Sequence, residues 1–138
     1  TNMRTIIITL LLLAATSAVV AQENSLKVSA FLVYDDGSIS TFDVLNDKSV
    51  VLWNGINASE PDGQKQSNKV KVVLAGQMKG IKLSIKNGDL KFFEKDNLTV
   101  FGTKTFIIDD TGCAEVFVTV TADNKTICQG TIPFHCGE

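Results

Sequence analysis

Residues 113–136 read CAEVFVTVTADNKTICQGTIPFHC. Two alternating runs flank Asp123-Asn124-Lys125, and such alternation marks antiparallel strands with one face in a core. A three-residue loop at that tip pairs Val120 with Cys128, Val118 with Gly130, Val116 with Ile132 and Ala114 with Phe134. That face is apolar throughout. The opposite face pairs Thr119 with Gln129, Phe117 with Thr131 and Glu115 with Pro133. A two-residue loop would instead set Gln129 against Val118 and Thr131 against Val116, a poorer match.

The register constrains the cysteines, of which the chain has 3: Cys113, Cys128 and Cys136. Cys128 lies level with Val120, roughly 24 Å along the strand from Cys113 at about 3.4 Å per residue. Cys128 and Cys136 share one extended strand and stand roughly 27 Å apart on the same spacing. A disulfide needs its Cα atoms within roughly 7 Å. The expected bridge is therefore Cys113–Cys136, at the open end of the hairpin, with a chain-entropy value of roughly 3 kcal/mol. Cys128 is left as a free thiol, expected to act as a small buried hydrophobe on the core face. No cationic neighbour is visible that would lower its pKa and make it reactive.

Short alternating runs recur upstream. LKVSAFLVY (26–34), ISTFDVL (39–45), SVVLWN (49–54), KVKVVLA (69–75), IKLSI (81–85), LKFFE (90–94), LTVF (98–101) and KTFIID (104–109) are separated by turn residues. Helical periodicity is nearly absent. The pattern predicts an all-β domain of about eight strands, a two-layer antiparallel β-sandwich of immunoglobulin-like or similar Greek-key type. A small barrel is the second choice. Within IKLSIKNGDLKFFE, Asn87-Gly88 suits a type I′ turn, which needs two positive φ angles. That turn sets Lys86 opposite Asp89, Ile85 opposite Leu90 and Leu83 opposite Phe92.

The first 21 residues read as a secretory signal, with Met3 the natural start and Thr1-Asn2 extraneous. Arg4 supplies the positive region, Ile6–Ala15 the apolar stretch, and Val19-Val20-Ala21 the small-residue cleavage site. The run is short of the roughly 20 residues a membrane span needs. Residues 22–138 are then one secreted domain, or periplasmic in a bacterium, with no membrane insertion after cleavage and a monomer expected. Beyond Arg4 the chain has 12 lysines, no arginine and 15 acidic residues. That balance argues against a nucleic-acid partner.

Catalytic sets are hard to assemble from these residues. His135 is the sole histidine, which removes Ser-His-Asp and Cys-His arrangements. His135 and Cys136 are neighbours on a strand and point to opposite faces, so no metal site is expected of them. Asp35-Asp36 and Asp109-Asp110 each stand beside turn residues, where aspartate belongs for backbone reasons. The expectation is a chain that is not an enzyme and takes no cofactor or metal.

Three Asn-x-Ser/Thr sequons begin at Asn57, Asn97 and Asn124 and are candidate N-glycosylation sites. The stretch WNGINASEPDGQKQSNK (53–69) is long for a loop in a compact β domain, and such loops tend to carry function. It is the candidate binding loop, with Trp53, Asn54, Asn57, Glu60 and Asp62 as its contact residues. Trp53, the sole tryptophan, reads two ways: an aromatic anchor for a partner, or a core residue closing one end of the sandwich. The second is the expectation. The functional expectation is a secreted module that binds a protein, a glycan or a surface, or serves structurally. The alternative is an extracellular carrier of a small apolar ligand held between the sheets.

Overall fold

The computed structural model describes residues 25–53, 56–57, 65–111 and 115–135. The signal segment 1–21 lies outside them. They contain no helix and form eight strands: β1 (Leu26–Val33), β2 (Leu52–Trp53), β3 (Ile56–Asn57), β4 (Lys65–Gln66), β5 (Lys69–Asn87), β6 (Leu90–Ile108), β7 (Glu115–Ala122) and β8 (Lys125–His135). All belong to one curled open sheet, ordered β1-β5-β7-β8-β2-β3-β4, with β6 on the far edge of β5. The all-β expectation is met at this level.

The main departure from the expected strands is that short runs merge. KVKVVLA and IKLSI are two ends of the 19-residue β5, and LKFFE, LTVF and KTFII are parts of the 19-residue β6. A straight strand keeps even residues on one face. Here Val70, Val72 and Leu74 are buried in the first half of β5, but Ile81, Leu83 and Ile85 in the second. Two offset bulges make the switch. Met78 pairs with Val100 and Ile81 with Leu98, so β5 carries an extra residue; Leu83 then pairs with Lys95, so β6 carries the next one. Each bulge holds a residue in the left-handed region, Gly80 at φ 66 and Asn97 at φ 53. Glycine and asparagine are the residues that adopt it most cheaply. Both strands thus exchange inside for outside together, and the register survives. The bent ribbon turns its two halves toward one core, where Phe93 and Phe106 of β6 meet with ring centroids 5.1 Å apart.

The bend also corrects the expected 81–94 hairpin. Asn87 pairs with Leu90 and Lys86 with Lys91, so the turn is Gly88-Asp89, one residue later than expected. Gly88 has φ 53 and Asp89 is not in the left-handed region, which fits a type II′ turn with glycine first. A further bulge at Phe92 sets Ile85 opposite Phe93 and Ser84 opposite Glu94. The pairs Ile85–Leu90 and Leu83–Phe92 do not form.

The β7–β8 hairpin keeps its expected register through Val120↔Cys128, Val118↔Gly130, Val116↔Ile132, Thr119↔Gln129, Phe117↔Thr131 and Glu115↔Pro133. Its tip differs. Asp123 (φ 50) and Asn124 (φ 60) form a two-residue turn of the type I′ kind, and a bulge at Ile127 absorbs the odd residue. The apolar face then packs as expected, with Val116, Val118, Val120 and Ile132 all at 0% exposure.

ISTFDVL is not a strand beyond one bridge, Val33↔Ile39. Residues 40–46 still run along the edge of β1, but side chains supply three of the five bonds. The Ala30 amide donates to Asp43 Oδ1 (3.1 Å) and the Leu32 amide to Ser40 Oγ (3.0 Å), while Asn46 Nδ2 donates to the Val28 carbonyl (2.8 Å). Backbone bonds from Ser40 to Leu32 and from Val44 to Ala30 alternate with them. This segment carries buried Leu45 across to β8, where a Cβ on Gly130 would fall 2.5 Å from its Cδ1. Glycine is needed there for close approach.

Asn97→Ala is expected to destabilise the protein by about 1 kcal/mol, the cost of a left-handed alanine, while Asn97→Gly stays within a few tenths. Urea unfolding of both variants in unglycosylated protein checks this.

Candidate functional site

Two surfaces gather side chains that the core leaves facing outward. The first is the end of the sheet where β2 lies parallel to β8, with Leu52 beside Phe134 and Trp53 beside His135. Leu52 and Phe134 are buried and anchor the pair. Alternation then turns Trp53 and His135 outward together, their ring centroids 6.4 Å apart. Trp53 is 50% exposed and Val51, on the same side of the chain, 55%. The expectation of a core tryptophan is corrected: the strand's inward position belongs to Leu52.

The candidate loop is partly structured. Ile56 and Asn57 pair back on β2 and forward on Lys65 and Gln66. The Asp35 amide bonds the Gln66 carbonyl at 3.1 Å, tying this small ribbon to the end of β1. Asn54, Glu60 and Asp62 lie outside the described residues.

The second surface is the outer face of the bent half of β5 with β7. Lys82 pairs with Thr121, Ser84 with Thr119 and Lys86 with Phe117, a grid two strands wide and three rows long. A groove of about 370 Å³ lies over it. A second, of about 400 Å³, continues past Lys82 to Asp96, Asn97 and Asn124. On the β6 side Glu94 takes Lys91 at 3.3 Å and Lys82 at 3.4 Å. Hydrogen bonds from these two ammonium groups, Lys91 first, hold its carboxyl below the ordinary range. Sequence reasoning missed this surface because K-x-S-x-K and F-x-T-x-T read as ordinary solvated strand faces; only their cross-strand register makes a site.

Other candidates fall where backbone needs place them. Asp36 accepts the Ser38 amide at 2.9 Å, and its carboxyl is held low by the Ser38 hydroxyl and amide. Asp110 sits at φ 57, and Asp109 meets Lys69 at 3.6 Å. Among the described residues no group of acidic, histidine or cysteine side chains is placed to hold a metal, and no helix is long and apolar enough to cross a membrane. Asn97 and Asn124 are exposed, and Asn57 is a β3 residue.

Cys113 and Cys136, the expected disulfide, lie outside the described residues; the observed ladder ends at Glu115↔Pro133. Cys128 is free and half-buried against the core. Burial first, and the charge of Asp43 second, push its thiol above the ordinary value. The thiolate fraction at neutral pH is therefore smaller than that of an open cysteine. Iodoacetamide at pH 8 is expected to modify Cys128 several-fold more slowly than a free cysteine peptide, with Asp43→Asn narrowing the gap. Timed mass spectrometry measures both rates.

Comparison with family models, with curated proteins and with solved structures finds no match for this chain, so its site is read from its own chemistry.

Proposed function

We propose that this chain is a secreted, non-catalytic β-sandwich module that works by binding a protein or glycan partner, its first 21 residues being a cleaved signal. The observation that carries the reading is the outward pair Trp53 and His135, held by buried Leu52 and Phe134 on paired strands. An exposed aromatic on a rigid support loses little entropy when a partner covers it, which is how such residues come to dominate interfaces.

Carriage of a small apolar ligand receives less support. The grooves over Lys82 and Ser84 open on the outer face, and neither they nor the groove beside Met78 and Ile127 are lined by the fully buried hydrophobic core side chains. A monomer is the proposed state. Among the described residues β6 pairs with β5 alone, and it carries exposed Lys95 and Lys104 opposite Leu83 and Leu74. Lysines on an edge strand oppose pairing with a second copy.

Glycan arrays and immobilised extracellular proteins, probed with the chain and with Trp53→Ala, test the reading. The expected result is a retained ligand whose binding falls at least tenfold in Trp53→Ala at an unchanged melting temperature. Equal binding by the variant, or no ligand on either surface, would count against it.

A further inference from the structure

The grid on the outer face of β5 and β7 carries a second inference, independent of Trp53. We infer that the groove over Lys86, Ser84 and Phe117 is a binding site for an acidic saccharide. Three observations converge on it. Ser84 is 9% exposed, and its hydroxyl has no hydrogen-bond partner. Buried hydroxyls are nearly always paired, so an orphan one on the floor of a groove calls for a ligand group. Lys86, two residues along the same face, makes no ion pair with an acid among the described residues, whereas Lys82 and Lys91 share Glu94. Its cross-strand partners are Phe117 on β7, 38% exposed, and Lys91 on β6, whose charge Glu94 takes up beside Ser84.

These groups match the parts of a uronic acid. Lys86 supplies a point charge for a carboxylate. Phe117 beside it offers an apolar face for the ring's C–H side. Ser84, Thr119 and Thr121 then present hydroxyls, which both donate and accept, to the hydroxyls of the sugar. Neighbouring rows stand about 6.8 Å apart at 3.4 Å per residue, so the grid has room for a disaccharide. Phosphate is a poorer fit, because the domain has no arginine fork and the groove one uncommitted cation. The sequence alone hides this site because it depends on pairing Lys86 with Phe117 across strands more than thirty residues apart.

The test is an amide NMR titration of the ¹⁵N-labelled chain with digalacturonate and with a hyaluronan tetrasaccharide. Cellobiose is the neutral control and sodium sulfate the simple anion. At least one uronate is expected to give saturable shifts confined to residues 82–86 and 117–121, weaker at high salt. Its affinity should fall at least fivefold in Lys86→Gln and in Ser84→Ala, recover in Lys86→Arg and be unchanged in Trp53→Ala. Dispersed spectra of the variants show that they fold. No saturable shifts with either uronate would overturn the inference, as would equal shifts with cellobiose or with sulfate, or shifts centred on Trp53.

Discussion

The long ribbon β5–β6 has to bend without turning its apolar side chains outward. A single bulge would spoil this, because one extra residue flips the faces of its own strand against those of the partner. Two bulges in succession, one per strand, flip both. Gly80 and Asn97 are the hinges, each left-handed, and they stand next to each other in the ladder around Ile81↔Leu98. Everything on either side follows from that offset. Before it, even residues of β5 face the core with β1; after it, odd residues face the core with β7. The even residues Lys82, Ser84 and Lys86 are released to the outer face by the same switch.

The curl leaves edges to be covered. β1 would expose one row of amides and carbonyls, and buried groups of this kind cost about 1–3 kcal/mol each when unpaired. Residues 40–46 cover that row without being a strand. Ser40, Asp43 and Asn46 come at every third position and reach the backbone through their side chains. Asp43 Oδ1 also accepts the Leu45 amide at 3.1 Å, which fixes the turn that seats Leu45 over Gly130. One aspartate thus joins the cover of the first strand to the packing on the last. Burial first, and the same carboxylate second, push up the thiol of Cys128 where the cover crosses the core.

Much of this was legible in the chain and some was not, for identifiable reasons. The β7–β8 ladder was readable because valines at 116, 118 and 120 meet a strand whose apolar residues keep the same parity. Its tip was misread because a two-residue turn plus a bulge at Ile127 consumes the same length as a three-residue loop. The 81–94 turn was misread because Asn87-Gly88 and Gly88-Asp89 are both good turn pairs, and the bulge at Phe92 decides between them. ISTFDVL alternates like a strand yet is held by side chains. The merging of five runs into two long strands was hidden by the parity switch itself, which breaks the alternation where the strand does not end. Trp53 does not close the end of the core as expected, because Leu52 takes the inward position on its strand. The groove at Lys86 depends on cross-strand register, which no local pattern displays.

The two candidate surfaces therefore differ in origin. Trp53 and His135 face outward because their neighbours anchor a short parallel pair; Lys86 and Ser84 face outward because the long strand changes sides, and meet Phe117 on the outer face of β7. The second claim depends wholly on the paired bulges, and they can be observed directly. Interstrand proton NOEs across β5 and β6, with the amide–α coupling of Asn97, are the measurement. The account predicts contacts of Ile81 with Leu98 and of Leu83 with Lys95, and a coupling at Asn97 that reports positive φ. A straight ladder, with Ile81 opposite Asn97 and Asn97 at negative φ, would contradict it and return Ser84 and Lys86 to the core side.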